Sequence, residues 1–282
     1  GIESRGPYSG TRLFWRSIVP SRVVVNGALG RMGHEVGRAV LSDPELRFVG
    51  AVESNVSQPY LPVPDYPELI PLSSDLGALI EATCPDVVVD FTNAVVAMEA
   101  ARVALPRKVG MVIGTTGLSE TDFDEIRRLC DLHDVGAVVA ANFTLGAVLL
   151  MHFAQIASRY FANAEIVEMH HDKKLDAPSG TALTTARLMA EARGSRFAYP
   201  PTERTVLPGV RGGEVSGIAI HSIRLPGVMA AQEVVFGGQG QTLLLRHDAI
   251  SRESYMPGVI LAVKEVVKIR GLVVGLDKLL GL

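Results

Sequence analysis

Residues 168–181 hold the densest set of side chains in the chain that could do chemistry: Glu168-Met169-His170-His171-Asp172-Lys173-Lys174-Leu175-Asp176-Ala177-Pro178-Ser179-Gly180-Thr181. Two adjacent histidines and two lysines bring proton donors and cations together, and imidazole titrates near neutrality, which suits a general acid. Pro178-Ser179-Gly180-Thr181 reads as a helix start whose unpaired N–H groups and hydroxyls suit a carboxylate. The stretch therefore describes a pocket for an anionic substrate, with an acid in it. Residues 170–176 carry two lysines and two aspartates, so with neutral histidines net charge does not attract an anion and position has to. The same residue types also fit a solvated strand end, with Ser179 as a helix cap and no more. No metal is expected here, because neighbours on a strand point to opposite faces and no HExxH or Cys/His ligand spacing occurs.

A second signal lies near the start. Gly27-Ala28-Leu29-Gly30-Arg31-Met32-Gly33 follows an apolar run, Val23-Val24-Val25, and opens a segment of helical spacing from Met32 to Val40. A tight turn at Gly27, close backbone approach at Gly30, close packing at Gly33 and the N–H groups of a helix start together suit a pyrophosphate. The spacing is GxxGxxG rather than GxGxxG, and turns are glycine-rich for steric reasons alone. The context adds weight: Glu53 stands twenty residues past Gly33 at the end of a second strand, where a ribose hydroxyl acceptor belongs. Its carboxylate favours a free 2′-hydroxyl, whereas Arg31 could reach a 2′-phosphate, so both NADH and NADPH are expected to bind.

These groups need a frame. Strand-like runs at Phe48–Glu53, Val87–Phe91, Gly110–Ile113 and Ala137–Ala140 are continuously apolar and alternate with helical segments near Val95–Leu105 and Ser119–Leu132. Such strands form a parallel sheet covered on both faces, so the fold class is α/β, a Rossmann-type doubly wound parallel sheet. After Asn142 the rhythm changes to a long apolar helix, Leu145–Tyr160, an alternating strand, Ala164–Met169, and strand-like runs at Ile218–Arg224, Gln232–Phe236 and Thr242–His247. This reads as a second α+β domain with an open mixed sheet. Pro257–Ile269 is helical again and is expected to return to the first domain. The expected division is a basic arm over 1–21, a dinucleotide-binding domain over 22–141 completed by 253–282, and a substrate-binding and oligomerisation domain over 142–252. Crossings near Asn142–Thr144 and Ser251–Tyr255 are expected to act as hinges. Gly237, Gly238 and Gly240 read as hairpin turns, and His34, His133 and His152 as structural or surface residues.

Composition narrows the class. The chain has 282 residues, 48% of them hydrophobic and 20% charged, with 27 Lys+Arg against 30 Asp+Glu and a net charge of -3. That lacks the basic excess of a dedicated nucleic-acid binder and the apolar-poor signature of disorder. The two cysteines, Cys84 and Cys130, are expected to be reduced core thiols, which fits a cytoplasmic setting. The longest apolar runs are too short to span a bilayer. The basic arm leaves a plastid stroma open if it is the remnant of a transit peptide.

The stretch from His170-His171 to Thr181 resembles the signature loop of the dihydrodipicolinate reductases of bacterial and plastid lysine biosynthesis. Further segments in the same order support it: Val25-Asn26-Gly27-Ala28-Leu29-Gly30-Arg31-Met32-Gly33, Asp90-Phe91-Thr92, Gly114-Thr115-Thr116-Gly117, Ala140-Ala141-Asn142-Phe143 and His221-Ser222-Ile223-Arg224. The resemblance covers residues 22–282. It implies a two-domain reductase, usually a homotetramer, that uses NADH or NADPH to reduce a cyclic dicarboxylate to tetrahydrodipicolinate in the diaminopimelate route to lysine. By the same resemblance His170 is the general acid and Lys174 a second donor or electrostatic stabiliser. His171, Ser179, Gly180 and Thr181 bind the substrate. Gly27, Ala28, Gly30, Arg31, Met32, Gly33 and Glu53 hold the cofactor, with Gly114, Thr115, Thr116, Asn142 and Phe143 at the nicotinamide end of the cleft. The sequence departs from the enteric pattern at Ser54, where an arginine is common, and at Leu225-Pro226-Gly227. Two rivals remain: another amino-acid dehydrogenase of the same plan, which should lack the His-His…Lys…Pro-Ser-Gly-Thr cluster, and a nicotinamide-sensing protein without turnover, which would not need it.

Overall fold

The computed structural model describes residues 19–63 and 68–282. Residues 1–18 of the expected basic arm lie outside the described residues, and Ser21 already starts the first strand. β1 (Ser21–Asn26) buries Val23, Val24 and Val25 on both faces. The chain turns at Gly27 into α1 (Arg31–Ser42) and returns through β2 (Leu46–Val52). β3 (Tyr60–Leu61), β4 (Ile70–Ser73), α2 (Leu76–Thr83), β5 (Val87–Asp90), α3 (Ala94–Ala104), β6 (Gly110–Ile113), α4 (Glu120–His133) and β7 (Gly136–Val139) continue the alternation. Local chemistry starts each of these later helices: Asp75, Asn93 and Ser119 accept hydrogen bonds from first-turn N–H groups, and Ser119 forms a capping box with Asp122.

The second half runs through α5 (Leu145–Ser158), β8 (Asn163–His170), α6 (Gly180–Arg193), β9 (Gly213–Val215), β10 (Ile218–Arg224), β11 (Ala230–Gly238) and β12 (Gln241–Ala249). α7 (Met256–Val266), β13 (Gly271–Val274) and α8 (Leu276–Leu280) follow. Two sheets result. The first has eight strands in the order β13-β7-β6-β5-β1-β2-β4-β3, parallel except for the β3–β4 pair. The second has five, β12-β11-β8-β10-β9, mixed because β8 and β10 run parallel while the other pairs are antiparallel. The C-terminal segment does return to the first sheet: β13 pairs with β7, and α7 places Val259, Ala262, Val263 and Val266 in the same core cluster as β1.

In the second sheet, alternate residues of β8 divide two environments. Ala164, Ile166 and Glu168 are buried, with Ile166 in a core that includes Leu150 of α5 and Ala182 of α6. Glu165, Val167 and Met169 face the other way and stay partly exposed.

Two expectations need correction. Cys84 is exposed, because it closes α2 in a left-handed conformation at φ 43° that carries its side chain outward; Cys130 alone is a core thiol, and burial pushes it up to about 12. Gly237 and Gly238 belong to β11, and only Gly240, at φ 70°, sits in the hairpin turn. β3, β4, α2, β9, β13 and α8 were not foreseen, being too short to show a clear period.

Candidate active site

The first sheet reverses its strand order at β1, so the crevice for a ligand lies past the ends of β1 and β5. Gly27 turns there at φ 71°, with Thr92 of the β5 loop packed where a side chain would stand. A Cβ on Gly33 would collide with the Gly27 carbonyl and the Ala28 backbone, so only glycine lets α1 lie against the loop. A Cβ on Gly30, by contrast, meets only the Gly27 carbonyl, at 3.2 Å, which leaves the outer side open for a phosphate. Glu53 accepts from the Leu29 N–H at 3.2 Å and from the Ser54 N–H at 2.9 Å, which fixes its carboxylate beside the loop. Under the loop, Asn26 and Thr92 bond the fully buried Asp90, whose carboxyl burial pushes up against the pull of those bonds. These residues fit a dinucleotide: open backbone donors at a helix start and one carboxylate for a ribose.

A cleft of about 1020 Å³ opens between the two sheets. From the first domain Met32 and Thr116 line it, from the crossing Asn142, and from the second domain His170, His171, Lys174, Ser179, Gly180 and Thr181. The residues singled out in the 168–181 stretch thus face the nicotinamide-side residues across one space. Asn142 accepts from the Thr144 N–H at 2.8 Å, which shapes the crossing into α5.

His170 ends β8, with its Nδ1 2.6 Å from Oε2 of Glu168. Glu168 is fully buried; burial would raise its carboxyl, but hydrogen bonds from His170 and Arg224 outweigh that and hold it at about 2. An ionised carboxylate only accepts, so Nδ1 carries the proton and Nε2 is the nitrogen left for the cleft. Lys174 Nζ pairs with Asp176 at 2.7 Å. Ser179 caps α6 by accepting from Ala182 N–H at 3.2 Å, and its own N–H donates to Glu168. Its polar atoms are therefore already engaged, while Gly180 and Thr181 bring first-turn N–H groups that no helix carbonyl can satisfy.

Family models cover almost all of this. The one described as "Dihydrodipicolinate reductase, N-terminus" matches residues 21–143, and "Dihydrodipicolinate reductase, C-terminus" matches 146–280. The chain belongs to the dihydrodipicolinate reductase family. It is 52% identical over 265 residues to the 4-hydroxy-tetrahydrodipicolinate reductase of Dehalococcoides mccartyi, covering 94% of this chain and 100% of that one. The Moorella thermoacetica protein of the same name is 49% identical over 269 residues, covering 93% and 99%. Among solved structures, the dipicolinate-bound dihydrodipicolinate reductase of Paenisporosarcina sp. TG-14 has a TM-score of 0.83 at 40% identity, covering 92% of this chain and 99% of that one. An amine dehydrogenase of Mycobacterium smegmatis, at TM-score 0.59 and 14% identity over 90% of this chain and 94% of that one, shares the fold alone.

For this reductase-family chain, several placements differ from those read in the sequence. Phe143 does not reach the cleft: it is 1% exposed and packs on Phe91 with ring centroids 5.5 Å apart. Gly114 does not line it either, because its missing side chain makes room for the Phe91 ring. Thr115 is buried, and Ala28 packs under Gly33. His152 is the reverse case, a helical histidine set aside that lines the cleft with Gln155. Arg252 lines it too and has no carboxylate within 4 Å among the described residues. Glu168 and Arg224 stood in the quoted stretches but carried no role there. A glutamate at an inward position of an alternating strand, two residues before His170, was the available signal.

The Glu168 environment has a stability consequence. Its folded-state pKa lies below its ordinary 4.5, so the unfolded chain binds the extra proton and the contribution, fully present above 4.5, is lost as pH falls to about 2. The size is on the order of 3 kcal/mol. Urea unfolding at pH 5 and pH 3 should show a larger loss for the native chain than for Glu168→Gln, and equal losses would refute the assignment.

Proposed function

We propose that this chain reduces 4-hydroxy-tetrahydrodipicolinate to tetrahydrodipicolinate with NADH or NADPH, in the diaminopimelate route to lysine. The observation that carries it is the single cleft in which His170, Lys174 and the α6 start face Met32, Thr116 and Asn142. A bound dihydronicotinamide supplies the hydride. As the imidazolium, His170 delivers the Nε2 proton and is left as the neutral ring, whose Nδ1–H stays bonded to Glu168. Lys174, held by Asp176, puts a positive charge where the ring gains electrons. The N–H groups of Gly180 and Thr181, with the Thr181 hydroxyl and His171, hold the carboxylates and so fix the ring's orientation, which can lower the barrier by several kcal/mol. An assay coupled to dihydrodipicolinate synthase, following oxidation of the dinucleotide, tests this. Consumption supports it, while binding of dinucleotide without consumption would favour a sensor.

Two residues separate binding from catalysis. Lys174→Ala should lower kcat about 10- to 100-fold, and Thr181→Val should chiefly raise KM for the dicarboxylate, about tenfold for a lost bond to a charged group. Near-normal turnover of the Lys174 variant would remove it from the mechanism.

Both cofactors are accepted in this reading. Glu53 favours the free ribose of NADH, and the exposed Arg31 in the first turn of α1 offers a cation for the 2′-phosphate of NADPH. Arg31→Ala should therefore weaken NADPH binding more than NADH binding by fluorescence titration; equal losses would refute that role.

The two chain crossings, Asn142–Thr144 and Ser251–Tyr255, are the hinges of this reading, and scattering with and without both ligands should show closure. A tetramer fits the uncovered face of the second sheet, where Val167, Met169, Val235 and Leu244 are only partly buried or exposed. Sedimentation equilibrium gives the mass that decides it.

A further inference from the structure

We propose that the buried Glu168–Arg224 pair is the positioning device of this active site, setting the acid, the lysine loop and the substrate's helix N-terminus in one frame. The inference rests on His170 being the proton donor. Its basis is how completely the pair is committed. Glu168 is 0% exposed, and each of its oxygens takes two bonds. Oε2 accepts from His170 Nδ1 at 2.6 Å and from Arg224 at 3.0 Å; Oε1 accepts from Arg224 at 2.8 Å and from the Ser179 N–H at 3.2 Å. Arg224 also donates to the Asp176 carbonyl at 2.7 Å, in the loop that carries Lys174.

One carboxylate therefore touches the acid, the cap of the anion-binding helix and, through its guanidinium partner, the loop between them. The sheet makes this possible. Glu168 and His170 share a face of β8, and the parallel pairing of β10 puts Arg224 directly opposite His170. A buried ion pair gives little stability over an apolar pair of similar volume, so the value of this one lies in what it orients. Neither residue lines the cleft, and each acts through a neighbour.

Charge matters as well as geometry. The titratable side chains sharing the cleft with His170 are His152, His171, Lys174, Asp176, Arg252, Tyr255, Asp277 and Lys278; Asp176 is paired with Lys174, and Asp277 lies against Lys278. Glu168 is the only carboxylate bonded to the His170 ring among the described residues. Its negative charge stands directly against the ring that carries the proton.

The experiment compares Glu168→Gln, Arg224→Lys and His170→Gln in the full chain, measuring kcat and KM from pH 5.5 to 9, thermal melting, and the Kd for pyridine-2,6-dicarboxylate. Glu168→Gln should lower kcat about 10- to 100-fold near neutrality. Its alkaline limb should move toward lower pH, and the dicarboxylate Kd should rise severalfold as Ser179 loses its anchor. Arg224→Lys keeps the charge but not the fork, so it should raise KM and lower kcat about 3- to 10-fold with the alkaline limb unmoved. A Glu168→Gln enzyme with native kcat, pH profile and dicarboxylate Kd would overturn the proposal, provided His170→Gln is inactive. A fully active His170→Gln would instead overturn the proton-donor reading beneath it. If Glu168→Gln does not fold, Arg224→Lys decides: native kcat and KM there overturn the proposal.

Discussion

His170→Gln should lower kcat about 10²- to 10⁴-fold, the range over which a positioned general acid accelerates proton transfer, while the Kd for NADH stays within about twofold. Glutamine reaches toward Glu168 with an amide that can donate as the imidazole does, so the loop and the α6 start keep their anchors and binding survives. What is lost is a titratable nitrogen at the cleft. The burial pattern supports a clean result, because the His170 side chain is 19% exposed and sits at a strand end rather than in the core. Stopped-flow measurement of dinucleotide oxidation at saturating substrate checks it. Turnover within threefold of the native enzyme would place the proton donor elsewhere, with His152 or His171 the next residues to test.

Gly33→Ala should weaken NADH binding by about 10- to 100-fold, leave the Kd for pyridine-2,6-dicarboxylate nearly unchanged, and lower the melting temperature. The added methyl would meet backbone on two sides, the Gly27 carbonyl and Ala28, and backbone cannot rotate away as a long side chain can. Overpacking of this kind costs about 1–3 kcal/mol, and its relief must push α1 off the loop that holds the pyrophosphate. For a chain of this length about 1 kcal/mol corresponds to roughly 2–4 °C, so the melting shift is measurable but modest. Gly30→Ala is the informative contrast. Its methyl would meet only one carbonyl oxygen, at 3.2 Å, and otherwise stands in the space a phosphate would fill, so it should impair dinucleotide binding with little loss of stability. Equal NADH affinity for Gly33→Ala and the native chain would mean that the loop is a structural turn and no more.

Residues Gly27 to Gly33 were legible in the sequence because both requirements there are local. A turn at positive φ and a helix start need particular residues within a few positions, and those residues were present. The same holds for Ser179 before Gly180, where a hydroxyl caps a helix three residues on. The central strands of the first sheet, β1, β5, β6 and β7, were legible because burial on both faces leaves them continuously apolar. Phe143 shows the limit. Its place in the Ala140–Phe143 run that carries the resemblance suggested a cleft wall, but the space left by Gly114 admits Phe91, and the two rings close over each other in the core. Nothing within a few residues of Phe143 announces that contact. His152 failed in the opposite sense: helical spacing places it on α5 without saying that this side of α5 borders the cleft.

The amino-acid sequence by itself determined the order of the longer elements, the cofactor loop and the loop rich in proton donors and cations, since propensity, capping and hydrophobic period act over spans of a few residues. Only the tertiary structure decided which of those groups meet. Arg224 reaches Glu168 across 56 residues of chain, and β13 closes the edge of the first sheet from the far end of the sequence. Strand pairing and burial are long-range, and a carboxylate that would be unremarkable in solution becomes the fixed point of the site once water is excluded and its partners surround it.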